Sequence, residues 1–315
     1  MKLFAVNNER LKTISAKDFK LEKEIQSLVE KNLNEIFQLE MVKSEFQIKD
    51  FRIDTLAFNK ESKSFVIIEY KKERNSSVID QGYTYLSLML NNKSDFILEY
   101  NEQLNQTLKR NDVDWTQSKV IFISPQFTEY QKHSVDFRDV PFDLWEIKRY
   151  DNNTLGFIQY KSTSKESIST TSTDSESVIS HVSKEIKVYT EEDHLTRSKS
   201  RPEWVAEVYF SLKERIMNLG EIEIVYRGDR ITFKRENPII DVVLYNKGLY
   251  IILNLQAGQL NDPNKLSLDC SNKRHWGNGD YYLLIDNNTD LDYVMFLIKQ
   301  SYNNQKMNSE IPLQP

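Results

Sequence analysis

Residues 51–85 read FRIDTLAFNKESKSFVIIEYKKERNSSVIDQGYTY, and this stretch decides how the whole chain is read. Phe51–Phe58 and Ser64–Tyr70 are two short β-branched and aromatic runs, and Asn59–Ser62 between them suits a hairpin turn. From about Val78 to Leu90 the apolar residues recur at helical spacing. Side chains alternate along a strand, so Glu69 and Lys71 share a face while Tyr70 points to the other, toward a core. Asp54 lies near the start of the preceding strand, and the hairpin can set it beside Glu69. Gln81 and Tyr85, four apart, share one face of the helix.

Two carboxylates and a lysine gathered this way have a specific chemical use. Mg²⁺ and Mn²⁺ prefer hard oxygen ligands and keep several waters, so Asp54 and Glu69 suffice to hold one against a phosphodiester. Lys71 supplies a cation to orient the attacking water and steady developing charge. Gln81 and Tyr85 can orient Lys71 or the substrate backbone. Glu30, at the flank of the apolar stripe of an earlier helix, is a candidate further ligand, directly or through water. The plain alternative is an Asp54–Lys71 ion pair across a hairpin with no chemistry attached.

Outward from this stretch, Leu21, Ile25, Leu28, Val29, Ile36 and Phe37 recur at helical spacing, with Asp18 as a cap. Val42–Ile48 reads as a strand, and further strands are expected at Asp95–Glu99 and Val120–Ser124, with helices between and strands at the end. That order is an α/β sheet with helices packed on it. Residues 162–180, STSKESISTTSTDSESVIS, hold 12 Ser or Thr in 19 and no hydrophobic period. Such a segment cannot offset its ordering entropy by burial and reads as a flexible linker. The expected division is therefore domain 1–160, linker 161–194 and domain 195–315. The last part opens with a helix at Pro202–Leu219. Strands are expected at 222–226, 230–235, 239–245, 249–254 and 281–286, and a closing helix at about 290–303. This is an α+β module with a mostly antiparallel sheet.

Bulk properties bound the rest. The 315 residues suit about two domains. The charge balance is near even: 23 Lys+Arg against 25 Asp+Glu in 1–160, 4 against 7 in 161–194, and 15 against 15 in 195–315, giving a net charge of −5. No part is a basic domain, so nucleic-acid contact requires cations gathered on one face. Cys270 is the single cysteine, which excludes an internal disulfide and a cysteine metal site. Apolar runs are too short for a membrane span or a signal peptide, and a cytoplasmic location is expected. There is no phosphate-binding Gly-rich loop, dinucleotide fingerprint or nucleophile elbow.

Weaker signals remain. Lys71, Lys72 and Arg74 form a basic run that could grip a phosphate backbone, as could Lys109-Arg110 and Lys148-Arg149. Residues 274–280, RHWGNGD, could present Trp276 to a base and His275 as an acid or base, or could simply be a hairpin turn with a packed Trp. His133, His181 and His194 lack metal-ligand spacing.

The arrangement Glu30…Asp54…Glu69-Tyr70-Lys71…Gln81-x-x-x-Tyr85 resembles the PD-(D/E)XK, or restriction-endonuclease-like, nuclease superfamily, in particular its NucS-like branch. The proline of the motif is replaced by Ile53. The resemblance covers about residues 18–100 and implies a mixed sheet flanked by helices. It also implies metal-dependent cleavage of nucleic acid, DNA in the first instance. In that reading Glu30, Asp54 and Glu69 hold Mg²⁺ or Mn²⁺, Lys71 is catalytic and Gln81 supports it. Many relatives of this fold act as dimers, which makes a homodimer an expectation. The two-domain layout also resembles a bacterial family labelled only "predicted transport protein", whose C-terminal half has no assigned function. The competing expectation is an inactive nuclease-like scaffold that binds nucleic acid or protein.

Overall fold

The computed structural model describes residues 2–72, 77–168, 177–272 and 279–309. The chain divides into two compact units, 1–188 and 189–315.

The first unit begins with a separate hairpin, β1 (Leu3–Asn7) and β2 (Arg10–Ile14), and a short β3 (Ala16–Lys17). Helices α1 (Glu22–Lys31) and α2 (Leu33–Phe37) precede strands β4 (Glu40–Ile48), β5 (Phe51–Asn59) and β6 (Ser64–Tyr70). Then come α3 (Val78–Asn91), α4 (Lys93–Leu104), β7 (Lys119–Ser124), α5 (Glu129–Ser134), β8 (Phe142–Tyr150), β9 (Leu155–Tyr160) and α6 (Val178–Glu185). The seven-stranded sheet is mixed. Its order is β3-β8-β7-β6-β5-β4, with β9 also paired to β8. β4, β5 and β6 are antiparallel; β6, β7 and β8 are parallel.

β6 is buried along all seven residues because it is central and covered on both faces, and its apolar run is continuous for that reason. Ile25, Val29 and Leu33 pack with Val66, Ile68, Tyr70 and Ile121 on one face. Val78, Leu86, Met89 and Phe96 pack with Leu56, Phe65, Ile67 and Phe122 on the other. Asn59 Oδ1 accepts from the amides of Glu61 and Ser62 at 3.0 and 2.9 Å, closing the β5–β6 turn. Ser77 caps α3 by accepting from the Asp80 amide at 3.3 Å.

Three expectations are corrected. Residues 95–99 are helical, within α4, because Phe96 and Tyr100, four apart, are buried while Leu98 between them is exposed. Asp18 does not cap α1; the helix starts after Leu21 with no side-chain cap. The described parts of the expected linker are folded. Ile168, Val182 and Ile186 are buried in the core beside α3. Asp139 accepts from the Ser167 hydroxyl and the Ile168 amide at 2.5 and 2.8 Å. A few apolar residues among the serines suffice to fasten this segment.

The second unit contains α7 (Glu191–Thr196), α8 (Glu203–Met217), strands β10 (Glu223–Tyr226), β11 (Ile231–Lys234), β12 (Pro238–Tyr245), β13 (Gly248–Leu253), β14 (Leu268–Asp269) and β15 (Tyr281–Ile285), and α9 (Leu291–Ser309). Its sheet, β10-β11-β12-β13-β15-β14, is antiparallel throughout. α8 and α9 contribute Val205, Tyr209, Leu212, Val294 and Ile298 to a core with one face of that sheet. Among the described residues no helix is long and apolar enough to cross a membrane.

Candidate active site

The site forms where β5 and β6 part. Their ladder begins at Thr55↔Ile68, so Asp54 lies one residue outside it. The ladder to β4 includes Ser44↔Thr55 and Phe46↔Ile53 but skips Glu45 and Asp54. Glu45 has φ 54°, in the left-handed region. Ile53 and Leu56, three apart, both lie in the core beside α3, so the alternation of β5 slips by one residue here. Freed from both ladders, Asp54 accepts from the Tyr70 amide through Oδ2 at 3.0 Å, and its carbonyl accepts from Gln26 Nε2 at 3.0 Å.

Glu69 is 4% exposed. Its Oε1 accepts from Lys71 Nζ at 3.0 Å and Gln81 Nε2 at 2.7 Å. Its Oε2 is buried without a hydrogen-bond partner among the described residues. Burial pushes the Glu69 carboxyl up to about 7; the Asp54 charge adds to this, while Lys71 and Gln81 oppose it. Burial also raises Asp54, against the Tyr70 amide and Lys71, with Glu45 and Glu22 adding to the rise. Tyr85, pushed up to about 12 chiefly by burial, stays a phenol. Its hydroxyl accepts from Gln81 at 3.0 Å and donates to the Arg52 carbonyl at 3.2 Å, so Tyr85 steadies Gln81.

Glu30 stands apart from this pair. Its Oε1 accepts from Thr55 Oγ1 at 2.6 Å and Gln26 Nε2 at 3.0 Å, and Thr55 Oγ1 lies 3.2 Å from Tyr70 OH. It also lines a cavity of about 340 Å³ with Lys31, Glu40, Met41 and Lys60. Among the described residues, Glu30 reaches Asp54 through Gln26, and through Thr55 and Tyr70. Lys71 pairs with Glu69, not across the hairpin with Asp54. Lys72 Nζ donates to the Lys20 carbonyl at 2.5 Å, and its amide donates to Glu22 at 2.7 Å. Lys148 pairs with Glu146, and Arg149 lies over the Phe19 ring. Arg74, His275 and Trp276 lie outside the described residues.

The donor set suits a hard divalent cation. A buried carboxylate oxygen lacks a partner, and a second carboxylate beside it is also held back from ionising by burial. Among the described residues no group of three or more His, Cys, Asp or Glu is gathered for a metal, so water and substrate oxygens would complete the shell.

Sequence reasoning missed Gln26. This buried amide touches Glu30, Ser44 Oγ, Glu45 and the Asp54 carbonyl through one nitrogen, at 3.0, 3.3, 3.1 and 3.0 Å. The available signal was a glutamine beside Ile25, within the apolar stripe and four residues before Glu30.

No protein-family model matches the chain. An uncharacterised protein of Haemophilus influenzae (strain ATCC 51907 / DSM 11121 / KW20 / Rd) is 47% identical over 304 residues, covering 96% of this chain and 99% of that one. A repair endonuclease from Pyrococcus abyssi aligns with a TM-score of 0.22 at 17% identity, over 39% of this chain and 45% of its own. The EndoMS–double-stranded DNA complex aligns with a TM-score of 0.22 at 16% identity, over 40% and 47%. The chain thus spans under half of either structure, and scores this low do not establish a shared fold.

Proposed function

We infer that this chain, which belongs to one family with the uncharacterised Haemophilus influenzae protein, is a metal-dependent nuclease that hydrolyses phosphodiester bonds of DNA. The observation that carries this reading is Oε2 of Glu69, buried without a hydrogen-bond partner among the described residues, beside Asp54 and Lys71 at the ends of two strands. A carboxylate left in that state costs stability unless a ligand completes it.

Asp54 and Glu69 would hold Mg²⁺ or Mn²⁺, which when bound draws charge from a phosphoryl oxygen and orients water. Lys71 Nζ, kept near by Glu69 Oε1, presents its ammonium to the attacking water and to the charge that develops on phosphorus-bound oxygens. Gln81, steadied by Tyr85, fixes Glu69 Oε1. Glu30 acts behind the site by holding Thr55 and Gln26.

The test is incubation of the full chain with single-stranded and double-stranded DNA and with RNA, in Mg²⁺, Mn²⁺ or EDTA. Cleavage is expected from wild type in metal only, falling at least ~10²-fold in Asp54→Asn, Glu69→Gln and Lys71→Ala. Cleavage undiminished by all three substitutions removes the site assignment.

A second reading, a nucleic-acid-binding scaffold without hydrolysis, is favoured by the lack of a third acidic ligand at the pair among the described residues. It predicts DNA binding with no Mn²⁺-induced rise in Tm that depends on Asp54 and Glu69.

A further inference from the structure

We propose that the outer face of the second unit's sheet is a stacking platform for an extended single-stranded nucleic acid; this rests on the nucleic-acid reading above and names the strand form it takes. Alternation assigns the face. Val242, Leu244, Leu249, Ile251, Leu283 and Ile285 belong to the core with α8 and α9. Val243, Tyr245, Tyr250, Tyr282 and Leu284 therefore lie on the opposite side. The register sets Tyr250 against Val243 on one neighbour and Leu284 on the other, and Leu268 against Tyr282. The ring centroids of Tyr245 and Tyr250 are 5.0 Å apart, and those of Tyr250 and Tyr282 are 6.0 Å apart with planes at 14°. Tyr245, Leu284 and Leu268 are 46%, 48% and 56% exposed. None of the three tyrosine hydroxyls has a hydrogen-bond partner among the described residues.

The strip is bounded toward β11, where Thr232 donates to buried Asp241 at 2.5 Å and Arg230 approaches it at 3.3 Å. Its other limit is basic. Residues 197–201, Arg-Ser-Lys-Ser-Arg, are fastened to the strand ends here. Arg197 donates to the Gly228 carbonyl, Arg201 to the Leu244 carbonyl at 3.0 Å, and Asn246 to Ser200 Oγ at 2.9 Å. Lys199 and Lys247 are exposed, and neither has an ion-pair partner among the described residues. Asp286, which follows β15, commits its carboxylate to its own turn with Asn288 and Thr289.

Aromatic faces ending in free ammonium groups complement a polyanion with exposed π faces. Bases inside a duplex are already stacked and cannot reach a flat sheet; those of a single strand can. Lys199 and Lys247 meet the phosphates, and the tyrosines meet the bases.

The test is fluorescence anisotropy of a short labelled oligothymidylate with the full chain in EDTA, with Tm measured for each variant. The expected result is that Tyr250→Ala with Tyr282→Ala weakens binding by ~10-fold or more, while the Tyr→Phe pair stays within about twofold, at unchanged Tm. Lys199→Glu with Lys247→Glu should weaken binding at low salt and flatten its salt dependence. A duplex of equal length should compete poorly. The proposal is overturned if wild type does not bind the oligonucleotide, or if the Tyr→Ala pair binds like wild type. It is equally overturned if the face instead holds a dimer that this pair dissociates without oligonucleotide binding. Because EDTA removes any metal, binding is read apart from cleavage; oligonucleotide bound in EDTA but left uncut after Mg²⁺ or Mn²⁺ is added would leave the platform standing and sink the nuclease reading. Metal-dependent cleavage with no effect of the tyrosines on binding would do the reverse.

Discussion

The Gln26 side-chain amide donates to the main-chain carbonyl of Asp54 at 3.0 Å, where β5 has left both of its ladders. A side chain from α1 therefore replaces a strand partner. The same nitrogen touches Glu30 and Glu45, so one buried amide couples the helix, the left-handed turn of β4 and the backbone of the candidate ligand. Removing it takes this donor away from the partly buried Asp54 carbonyl.

Gln26→Leu, close in volume, should therefore cost ~1–3 kcal/mol in urea unfolding. It should also blunt any Mn²⁺-induced rise in Tm, since Asp54 is no longer fixed. A variant as stable as wild type, with the same Mn²⁺ response, would show that Gln26 only fills space.

The Glu69 carboxyl is raised from 4.5 to about 7 by burial and by Asp54. The folded state thus holds its proton more tightly than the unfolded state. Stability is fully present below about pH 4.5 and is lost as pH rises through about 7, by about 3 kcal/mol at most. Lys71, Gln81 and Tyr85 also face the group, and the first two oppose the rise. Metal-free protein should melt at a lower temperature at pH 8 than at pH 5. Glu69→Gln should flatten that slope and raise Tm at pH 8; an unchanged slope would assign the pH dependence to other groups.

Lys71 and Glu69 side chains are 16% and 6% exposed, so their ion pair is substantially desolvated. Lys71→Met leaves the carboxylate without its cation and should destabilise by ~3 kcal/mol at pH 8. The loss should shrink at pH 5, where Glu69 takes a proton. A loss equal at both pH values would mean that the lysine stem, not its charge, supports the site.

Gly82 lies under the Phe142 ring, where an added Cβ would fall 2.5 Å from Cζ. Helix propensity favours Gly82→Ala by ~0.5–1 kcal/mol, but the clash should reverse the sign and cost ~1–3 kcal/mol. It should also displace Gln81, its neighbour on α3. Adding Phe142→Leu should recover part of the loss; two losses that simply add would refute the contact as the cause.

Val182 on α6 is fully buried against the first unit's core. Val182→Asp should cost ~3 kcal/mol or more and expose residues 178–187 to protease before the rest of the unit unfolds. Protease resistance equal to wild type would show that α6 is held by its polar contacts, such as Lys93 to Glu185.

The β4–β6 hairpins and α3 were legible because their alternation and helical period come from burial on known faces. The meeting of Asp54, Glu69, Lys71 and Gln81 at one strand end followed from that geometry, as did the antiparallel sheet of the second unit. Local composition misled elsewhere. Phe-Ile-Leu at 96–98 has strand chemistry, but its partners lie four residues on, at Tyr100. The serine-rich segment hides Ile168, Val182 and Ile186, whose burial depends on a core assembled by distant residues. The slip at Asp54 was illegible because nothing in Ser44-Glu45-Phe46 signals a left-handed glutamate. The pairing of Glu30 with Thr55 likewise depends on how α1 crosses the sheet.

The Glu69 Oε2 that is buried without a partner among the described residues also bears on inheritance. Glutamine at 69 would keep the shape, remove the buried charge and yield a sturdier protein at neutral pH. Mutational drift under selection for folding alone would run toward that replacement. Under the nuclease reading proposed above, use maintains that cost, and descendants released from it should be more heat-resistant than their ancestor.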